Sequence, residues 1–158
     1  MIDGTVFRQA MGRFATGVTI LTTRGADGTP YGLTATAVAS ISLDPPLVMI
    51  SIDKRAETFP HFFTSKVFVV NMLADTQEDL SNAFAKSGGD KFAGLTYETN
   101  ADGVPVLPST LATIECHVVA SHEAGDHVIH LGEADRIRVA DDAAPLLYFQ
   151  GRYGRLAT

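Results

Sequence analysis

Two long stretches of alternating polarity, residues 111–123 and 128–139, constrain the fold of this chain more than any other feature. The first reads LATIECHVVASHE, in which apolar and polar side chains alternate with the period of two that is typical of a β-strand. The dipeptide Gly125-Asp126 between the two stretches is a turn signal. The sequence therefore predicts a long β-hairpin, around which the rest of the fold has to be arranged.

Shorter runs rich in β-branched residues predict the other strands. They lie at residues 18–24, from Tyr31 onward, and at 47–52, 67–72 and 145–149. Helical spacing of apolar residues predicts one helix at 3–15, with Asp3 as its cap, and another at 76–86, with Thr76 as its cap. Closure of such strands into a barrel is the usual way to remove exposed sheet edges. We therefore expect a mainly β fold, a small β-barrel with two or three peripheral α-helices.

The size and charge of the chain narrow its function class. Its 158 residues fit one domain, and nothing in the sequence divides the range 1–158. A net charge of −6 without any basic run disfavours nucleic acid as a partner. No apolar run approaches the roughly 18–20 residues of a membrane span, and the N-terminus lacks the layout of a signal peptide. We expect a cytoplasmic protein and not a membrane protein. The strand-like surroundings of the single cysteine, Cys116, predict a buried thiol.

The common catalytic and metal-binding motifs are missing from the sequence. Five histidines occur, but they form neither an HExxH motif nor a histidine–cysteine cluster, so no metal site is predicted. The sequence contains no GxSxG elbow, no Walker A loop and no GxGxxG motif after a strand. Gly88-Gly89 lies in a loop that lacks the lysine and serine of a phosphate-binding loop.

The stretch Tyr31–Lys54, YGLTATAVASISLDPPLVMISIDK, is rich in small and hydroxyl residues. Small residues leave room for a flat ligand beside the backbone, and hydroxyls with free N–H groups suit a phosphate. The alternative is a pair of packed strands joined by a turn at the two prolines. Composition alone leaves both interpretations open.

The order of several short motifs along the chain is more specific. These are FRQAMGRFATGVTILTT at 7–23, GLTATAVASISLDPPLV at 32–48, SIDK at 51–54, DKF at 90–92, GDH at 125–127 and YFQGRY at 148–153. Together they closely resemble the short-chain flavin reductase family, the reductase components of two-component flavin-dependent monooxygenases. The resemblance covers nearly the whole chain.

This resemblance implies the fold of the FMN-binding split barrel, a homodimer, and flavin bound near the subunit interface. It implies an NAD(P)H:flavin oxidoreductase, in which hydride passes from NADH or NADPH to FMN or FAD and reduced flavin passes to a partner monooxygenase. Two alternatives stay open: a flavin-binding protein without catalysis, and a split-barrel FMN enzyme that acts directly on a small substrate.

The resemblance also implies the residues of the site. The expected flavin contacts are Thr34, Ala35, Thr36, Ser40, Ser51, Ile52, Asp53, Lys54, Thr58, Lys91 and Phe92. His127 is the expected catalytic residue, which positions the nicotinamide carboxamide or donates a hydrogen bond. Arg152 and Tyr153 match the segment near the pyridine nucleotide. We expect His127 to lie across the cleft from the Thr34–Lys54 wall.

One departure from the family pattern concerns the phosphate. Several relatives carry Asn-Arg-x-Ser/Thr where this chain has Asp53-Lys54-Arg55-Ala56. A carboxylate at position 53 is unfavourable beside a phosphate unless it points away or binds the ribityl hydroxyls. Lys54 or Arg55 is therefore expected to supply the positive charge. The choice between FMN and FAD stays open.

Overall fold

The computed structural model describes residues 2–157, which form a mainly β fold with three short helices, as predicted. The helices are α1 (Gly4–Met11), α2 (Phe59–Ser65) and α3 (Glu78–Ala85). The strands are β1 (Thr16–Gly17), β2 (Thr19–Arg24), β3 (Pro30–Ala35), β4 (Val38–Leu43), β5 (Pro46–Asp53), β6 (Val67–Met72), β7 (Glu98–Thr99), β8 (Pro105–Val106), β9 (Ala112–Ala124), β10 (His127–Val139), β11 (Leu147–Phe149) and β12 (Arg152–Gly154). None of the three helices is long and apolar enough to cross a membrane.

Seven strands form one antiparallel sheet in the order β3-β2-β6-β9-β10-β5-β4. Its two edge strands, β3 and β4, are consecutive in the chain and are joined only by Thr36 and Ala37. In a flat sheet these edges would lie about 29 Å apart, at ~4.8 Å per strand. The short connection spans at most about 11 Å. The sheet therefore has to curl into a barrel.

The long hairpin β9–β10 joins the two halves of this barrel. The first half of β9 pairs with β6, and the first half of β10 pairs with β5. Two bulges interrupt the hairpin, because Val119 is an extra residue on β9 and Asp135 an extra residue on β10. Bulges increase the local twist of a strand pair, which lets one hairpin follow the curved wall. The hairpin prediction is confirmed.

Three details of the sequence prediction are wrong. The strand expected from Tyr31 onward is broken at residues 36–37, because the chain crosses there from one sheet edge to the other. The strand expected at 145–149 lies outside the main sheet, since β11 pairs with β1 and β12. The cap of α3 is Gln77 instead of Thr76.

The interior of the barrel is filled by large apolar side chains. Phe62, from α2, packs with Phe68, Ile52 and Cys116, all at most 3% exposed. Burial raises the pKa of the Cys116 thiol to about 12. Cys116 is thus the buried, unreactive thiol that its strand-like surroundings predict.

Replacement of Gly132 by alanine should destabilise the barrel. A Cβ at this position would lie 2.7 Å from Cε1 of Phe68 and 2.9 Å from Cβ of Cys116, both inside the core. Overpacking of this kind costs about 1–3 kcal/mol. We expect chemical denaturation of Gly132→Ala to show a loss of this size. The control is Gly4→Ala, where an added Cβ meets no atom within 4 Å. An equal effect in both variants would contradict the packing explanation.

Candidate active site

The junction between β3 and β4 brings together the first group of predicted flavin contacts. Thr34, Ala35 and Thr36 lie at the end of β3, and the N–H of Ser51 donates to the carbonyl of Ala37, 3.1 Å away. Because β3 and β4 each have a single neighbouring strand in the described part of the chain, one side of their backbones is left without a strand partner there. Such an edge offers N–H and C=O groups to a ligand. It suits the polar rim of a flat heterocycle.

Side chains of β5 point alternately into the barrel and to its outside, which decides which of them a ligand can reach. Ile52 is fully buried inside the barrel, so its side chain is not available to a ligand. Ser51 and Asp53 are half-buried on the outer side. Ser40 is exposed on the edge strand β4 and is paired with Val48. It lies three residue pairs along the strand from the Ser51–Ala37 contact, which makes it a peripheral member of the set.

A cavity of about 280 Å³ beside β3 collects a second group of predicted residues from distant parts of the chain. It is lined by Thr29, Pro30, Tyr31, Gly32, Glu57, Thr58, Gly89, Asp90, Lys91 and Phe92. The start of α2 therefore meets the loop after α3 at the edge of β3. The structure thus brings Thr58, Lys91 and Phe92 to a single cavity.

Lys91 is the cation of this cavity. Its Nζ donates to the carbonyls of Phe84 (3.2 Å) and Gly32 (3.4 Å). Within residues 2–157 it forms no ion pair with a carboxylate. Burial lowers the pKa of Lys91, and the charge of Glu57 opposes this shift. An anion in the cavity would compensate the positive charge of this partly buried ammonium group. A phosphate suits this role, because it forms strong charge-assisted hydrogen bonds with ammonium groups.

The buried hydroxyl of Thr58 supports the same interpretation. Thr58 is 5% exposed, and its Oγ1 has no hydrogen-bond partner among the described residues. A buried polar atom without a partner costs free energy. An oxygen-rich ligand would supply the missing bond, so the cavity fits the ribityl or phosphate part of a flavin.

Phe92 borders the same cavity but belongs mainly to the core. It is 8% exposed, and its ring packs edge-on against Phe84 and Tyr97, with centroids 5.0 and 5.2 Å apart. Its side chain therefore supports the loop, and a contact with a ligand in the cavity would come from its backbone. The N–H of Phe92 donates to Asp90.

The Asp53–Arg55 segment is arranged differently from the expectation. Arg55 Nη2 lies 2.7 Å from Asp53 Oδ2, and Arg55 Nε lies 3.1 Å from Asp53 Oδ1. These bonds hold the pKa of Asp53 well below its usual range. Lys54 Nζ lies 3.0 Å from Glu123 Oε2 and 3.0 Å from the carbonyl of Gly125. Both expected phosphate cations are thus already paired with carboxylates, whereas Lys91 is not.

His127 lies beside the flavin wall and not across from it. In the register of β10 and β5, His127 is directly opposite Asp53. Its Nδ1 is 2.7 Å from Asp126 Oδ1, and this bond is the main cause of the lowered pKa of Asp126. The carboxylate accepts the Nδ1 proton, which leaves Nε2 for a substrate. The expected position across the cleft is wrong, because strand register cannot be derived from the GDH triplet.

The C-terminal residues meet the flavin wall through α3. The Tyr153 hydroxyl lies 2.8 Å from Ser81 Oγ and 3.3 Å from Asn82 Oδ1. The carbonyl of Ser81 accepts a hydrogen bond from Thr34 Oγ1 at 2.6 Å. Arg152 is exposed on β12. Among residues 2–157, no hydrogen bond connects Arg152 or Tyr153 to His127.

Several lining residues have no counterpart in the sequence interpretation. Glu57 and Gly89 border the cavity, and the Gly88 N–H donates to Glu57 Oε2 at 2.8 Å. The Gly88-Gly89 pair before DKF could have indicated a tight loop at this place from the sequence, since both glycines adopt positive φ angles. Glu57 carries no such signal. In the described part of the chain, no group of three or more His, Cys, Asp or Glu residues is placed to hold a metal ion.

His130 should make the fold sensitive to acid. It is 1% exposed, with Nδ1 2.8 Å from Ser121 Oγ, and burial lowers its pKa. The folded protein therefore binds fewer protons at His130 than the unfolded chain does. Its stabilising contribution is present above about pH 6.5 and is lost as the pH falls below that value.

The measurement is the free energy of unfolding of wild type and His130→Gln between pH 7.5 and 5. We expect wild type to lose more stability than the variant over this range. The comparison cancels His117, whose pKa is raised by its bond to Asp135 and which has the opposite pH dependence. Parallel curves would contradict the prediction.

Comparisons with known proteins identify the family of this chain. The family model described as "Flavin reductase like domain" matches residues 11–157. The FMN reductase (NADH) SmoA of Agrobacterium fabrum is 43% identical over 152 residues, which cover 96% of this chain and 85% of the relative. The reductase subunit HsaB of a flavin-dependent monooxygenase from Rhodococcus jostii is 36% identical over 96% of this chain and 77% of that protein.

A solved structure gives the same result for the fold. The NADH:FAD oxidoreductase SgcE6 of Streptomyces globisporus, in complex with NAD and FAD fragments, superposes with a TM-score of 0.92. It is 32% identical and covers 99% of this chain and 96% of that one. The split-barrel prediction is thereby confirmed. The protein belongs to the flavin reductase like family.

Proposed function

We propose that this protein is an NAD(P)H:flavin oxidoreductase that reduces FMN or FAD and supplies the reduced flavin to a partner monooxygenase. The relatives named FMN reductase, NADH:FAD oxidoreductase and monooxygenase reductase subunit support this activity. The observation that carries the proposal is the arrangement around β3. An open strand edge for a flat ring lies next to a cavity with a partly buried Lys91. The same cavity contains the Thr58 hydroxyl, which has no hydrogen-bond partner among residues 2–157.

In this proposal the chain mainly binds and orients. Bound flavin supplies the ring system that accepts hydride from the nicotinamide. The open backbone edge at Thr34–Thr36 and the hydroxyl of Ser51 hold the polar edge of the ring, and Lys91 with Thr58 holds the phosphate end. His127, fixed by Asp126, presents Nε2 to the nicotinamide carboxamide. Orientation of two reactants in this way contributes through proximity, so no acid–base pair is required.

The side chains around 53–55 adjust the site by charge. Asp53 stands where several relatives carry asparagine, and Arg55 is paired with its carboxylate. This ion pair reduces the repulsion between Asp53 and a flavin phosphate. Lys54 holds the β9–β10 turn through Glu123 and Gly125. We propose that Lys54 acts on His127 by fixing this turn, and that the phosphate charge is carried by Lys91.

A homodimer is also part of the proposal. Helix α1 has no buried residue, and its region exposes Phe7 (60%), Met11 (54%) and Phe14 (71%). A groove of about 880 Å³ beside these residues also contains Thr36, from the flavin wall. An exposed apolar patch of this kind is typical of an interaction site. A second copy on it would place the flavin near the interface.

The dimer is tested by light scattering coupled to gel filtration. We expect wild type to be dimeric and Phe14→Glu to be monomeric, because burial of a charge in an apolar interface is costly. Ile137→Glu, at an exposed apolar position on β10, is the matched control and should stay dimeric. A monomeric wild type would contradict the proposal.

We propose the cytoplasm as the location, where free flavin and NADH meet.

The activity is tested by steady-state oxidation of NADH and NADPH with increasing FMN or FAD. The proposal predicts that the rate rises with added flavin and saturates. The same titrations measure which flavin and which nicotinamide gives the higher kcat/KM. Flavin binding without any oxidation would favour a flavin-binding protein without catalysis. A tightly flavin-loaded protein that ignores free flavin would favour an enzyme acting on another substrate.

A further inference from the structure

A second cavity, of about 360 Å³, lies at the end of the β9–β10 hairpin that is opposite to the Gly125 turn. It is enclosed by the segments 96–98, 106–110, 112–113 and 138–140. None of these residues belongs to the set assigned to flavin or nicotinamide. Val106 and Leu107 are buried at its base, and Tyr97 provides an aromatic wall.

Thr113 gives this apolar cavity a polar centre. It is 3% exposed, lines the cavity, and its Oγ1 has no partner among the described residues. Arg138 is directly opposite Thr113 in the strand register. Cross-strand partners lie on the same face, with Cβ atoms about 4.5–5.5 Å apart. A hydroxyl and a guanidinium are therefore close enough to donate to one oxyanion.

The charges around the pair allow an anion to enter. Arg138 Nη1 holds Glu98 Oε2 at 2.9 Å, which shows that the guanidinium already takes a carboxylate at this position. The side chain of Glu98 is 73% exposed, so it can move into water at little cost. Glu115, on the same face as Thr113, opposes an anion, and its charge helps to raise the pKa of Arg138. Arg136 lies opposite Glu115 in the register and adds a second positive charge to this end of the hairpin.

The loop at the rim also has an unusual backbone. Ser109 has a φ of 57°, in the left-handed region that is uncommon for residues other than glycine. The loop is held on both sides, because the Pro108 carbonyl accepts from Gln77 and the Leu111 N–H donates to the Met72 carbonyl. Strained residues held by their surroundings occur frequently at ligand clamps.

We propose that this cavity binds a small carboxylate with an apolar ring or chain. The carboxylate takes the place of Glu98 on Arg138 and accepts a bond from Thr113 Oγ1, and the apolar part lies on Val106 and Leu107. The volume is ample for one aromatic ring, since about 150 Å³ accommodates benzene. This inference is independent of the proposed reduction of flavin, because the two sites share no residue.

The test is a titration of the ¹⁵N-labelled protein with benzoate, followed by amide chemical shifts. We expect saturable shifts centred on residues 96–98, 106–113 and 138–140. Thr113→Val, which keeps the volume, and Arg138→Met should each weaken binding about tenfold or more, since each removes a bond to a charged group. Benzamide, the neutral analogue, should bind wild type more weakly by a similar factor.

Four results would overturn the inference: no saturation, shifts centred on residues 32–36, undiminished affinity in either variant, or equal binding of benzamide. Arg138 is on the surface, so Arg138→Met keeps the test decisive if Thr113→Val does not fold. Steady-state NADH oxidation should be the same in wild type and both variants, which separates this site from the flavin site.

Discussion

Replacement of Lys91 by methionine is expected to raise the KM for flavin roughly 10- to 100-fold, which corresponds to the loss of ~1.5–3 kcal/mol for a hydrogen bond to a charged group. Lys91 is the cation of the β3 cavity and forms no ion pair within residues 2–157. The kcat should change much less, because the phosphate end is remote from the ring that is reduced. Steady-state kinetics with varied FMN or FAD, together with fluorescence titration of flavin binding, measures both effects.

Lys54→Met and Arg55→Met are the matched controls for this prediction. Lys54 is held by Glu123 and Arg55 by Asp53 at the protein surface. Such exposed pairs contribute about 0–1 kcal/mol, so these variants should change the KM for flavin about fivefold or less. A larger effect from Lys54 or Arg55 than from Lys91 would show that the phosphate is bound at 53–55, as the family pattern alone suggests.

Replacement of His127 by alanine is expected to lower kcat/KM for NADH roughly 10- to 100-fold, the loss of about one positioned hydrogen bond. The flavin affinity should stay unchanged, because His127 is assigned to the nicotinamide and is not one of the residues assigned to flavin. His122→Ala, an exposed histidine of the same hairpin, is the control and should resemble wild type. His127→Asn should recover part of the activity. An unchanged kcat/KM in His127→Ala would remove His127 from the site.

Much of the fold can be derived from the sequence, because alternation is a local property. The β9–β10 hairpin is predicted almost residue for residue, and the strand predicted at 67–72 is β6. The break between β3 and β4 cannot be derived in this way. It depends on barrel closure, which is decided by seven strands together.

The site is predictable to a smaller extent. The segment Thr34–Ala37 and the DKF loop at 90–92 are recognisable as motifs in the sequence. The structure brings Thr58 and Lys91 to one cavity. Ion pairs such as Asp53–Arg55 and Lys54–Glu123 are invisible in a sequence, because rotamers and strand register determine them. The burial of the Ile52 and Phe92 side chains is likewise set by packing, although both residues stand inside the matching motifs.

Reduction of free flavin followed by its release is the function proposed for this protein. It is tested most directly by mixing the protein anaerobically with NADH and an excess of FMN or FAD, followed by ultrafiltration. We expect NADH to be consumed in equal amount to the flavin reduced, over many turnovers, and the reduced flavin to appear in the filtrate. Flavin that stays oxidised, or that is reduced once and stays with the protein, would contradict it.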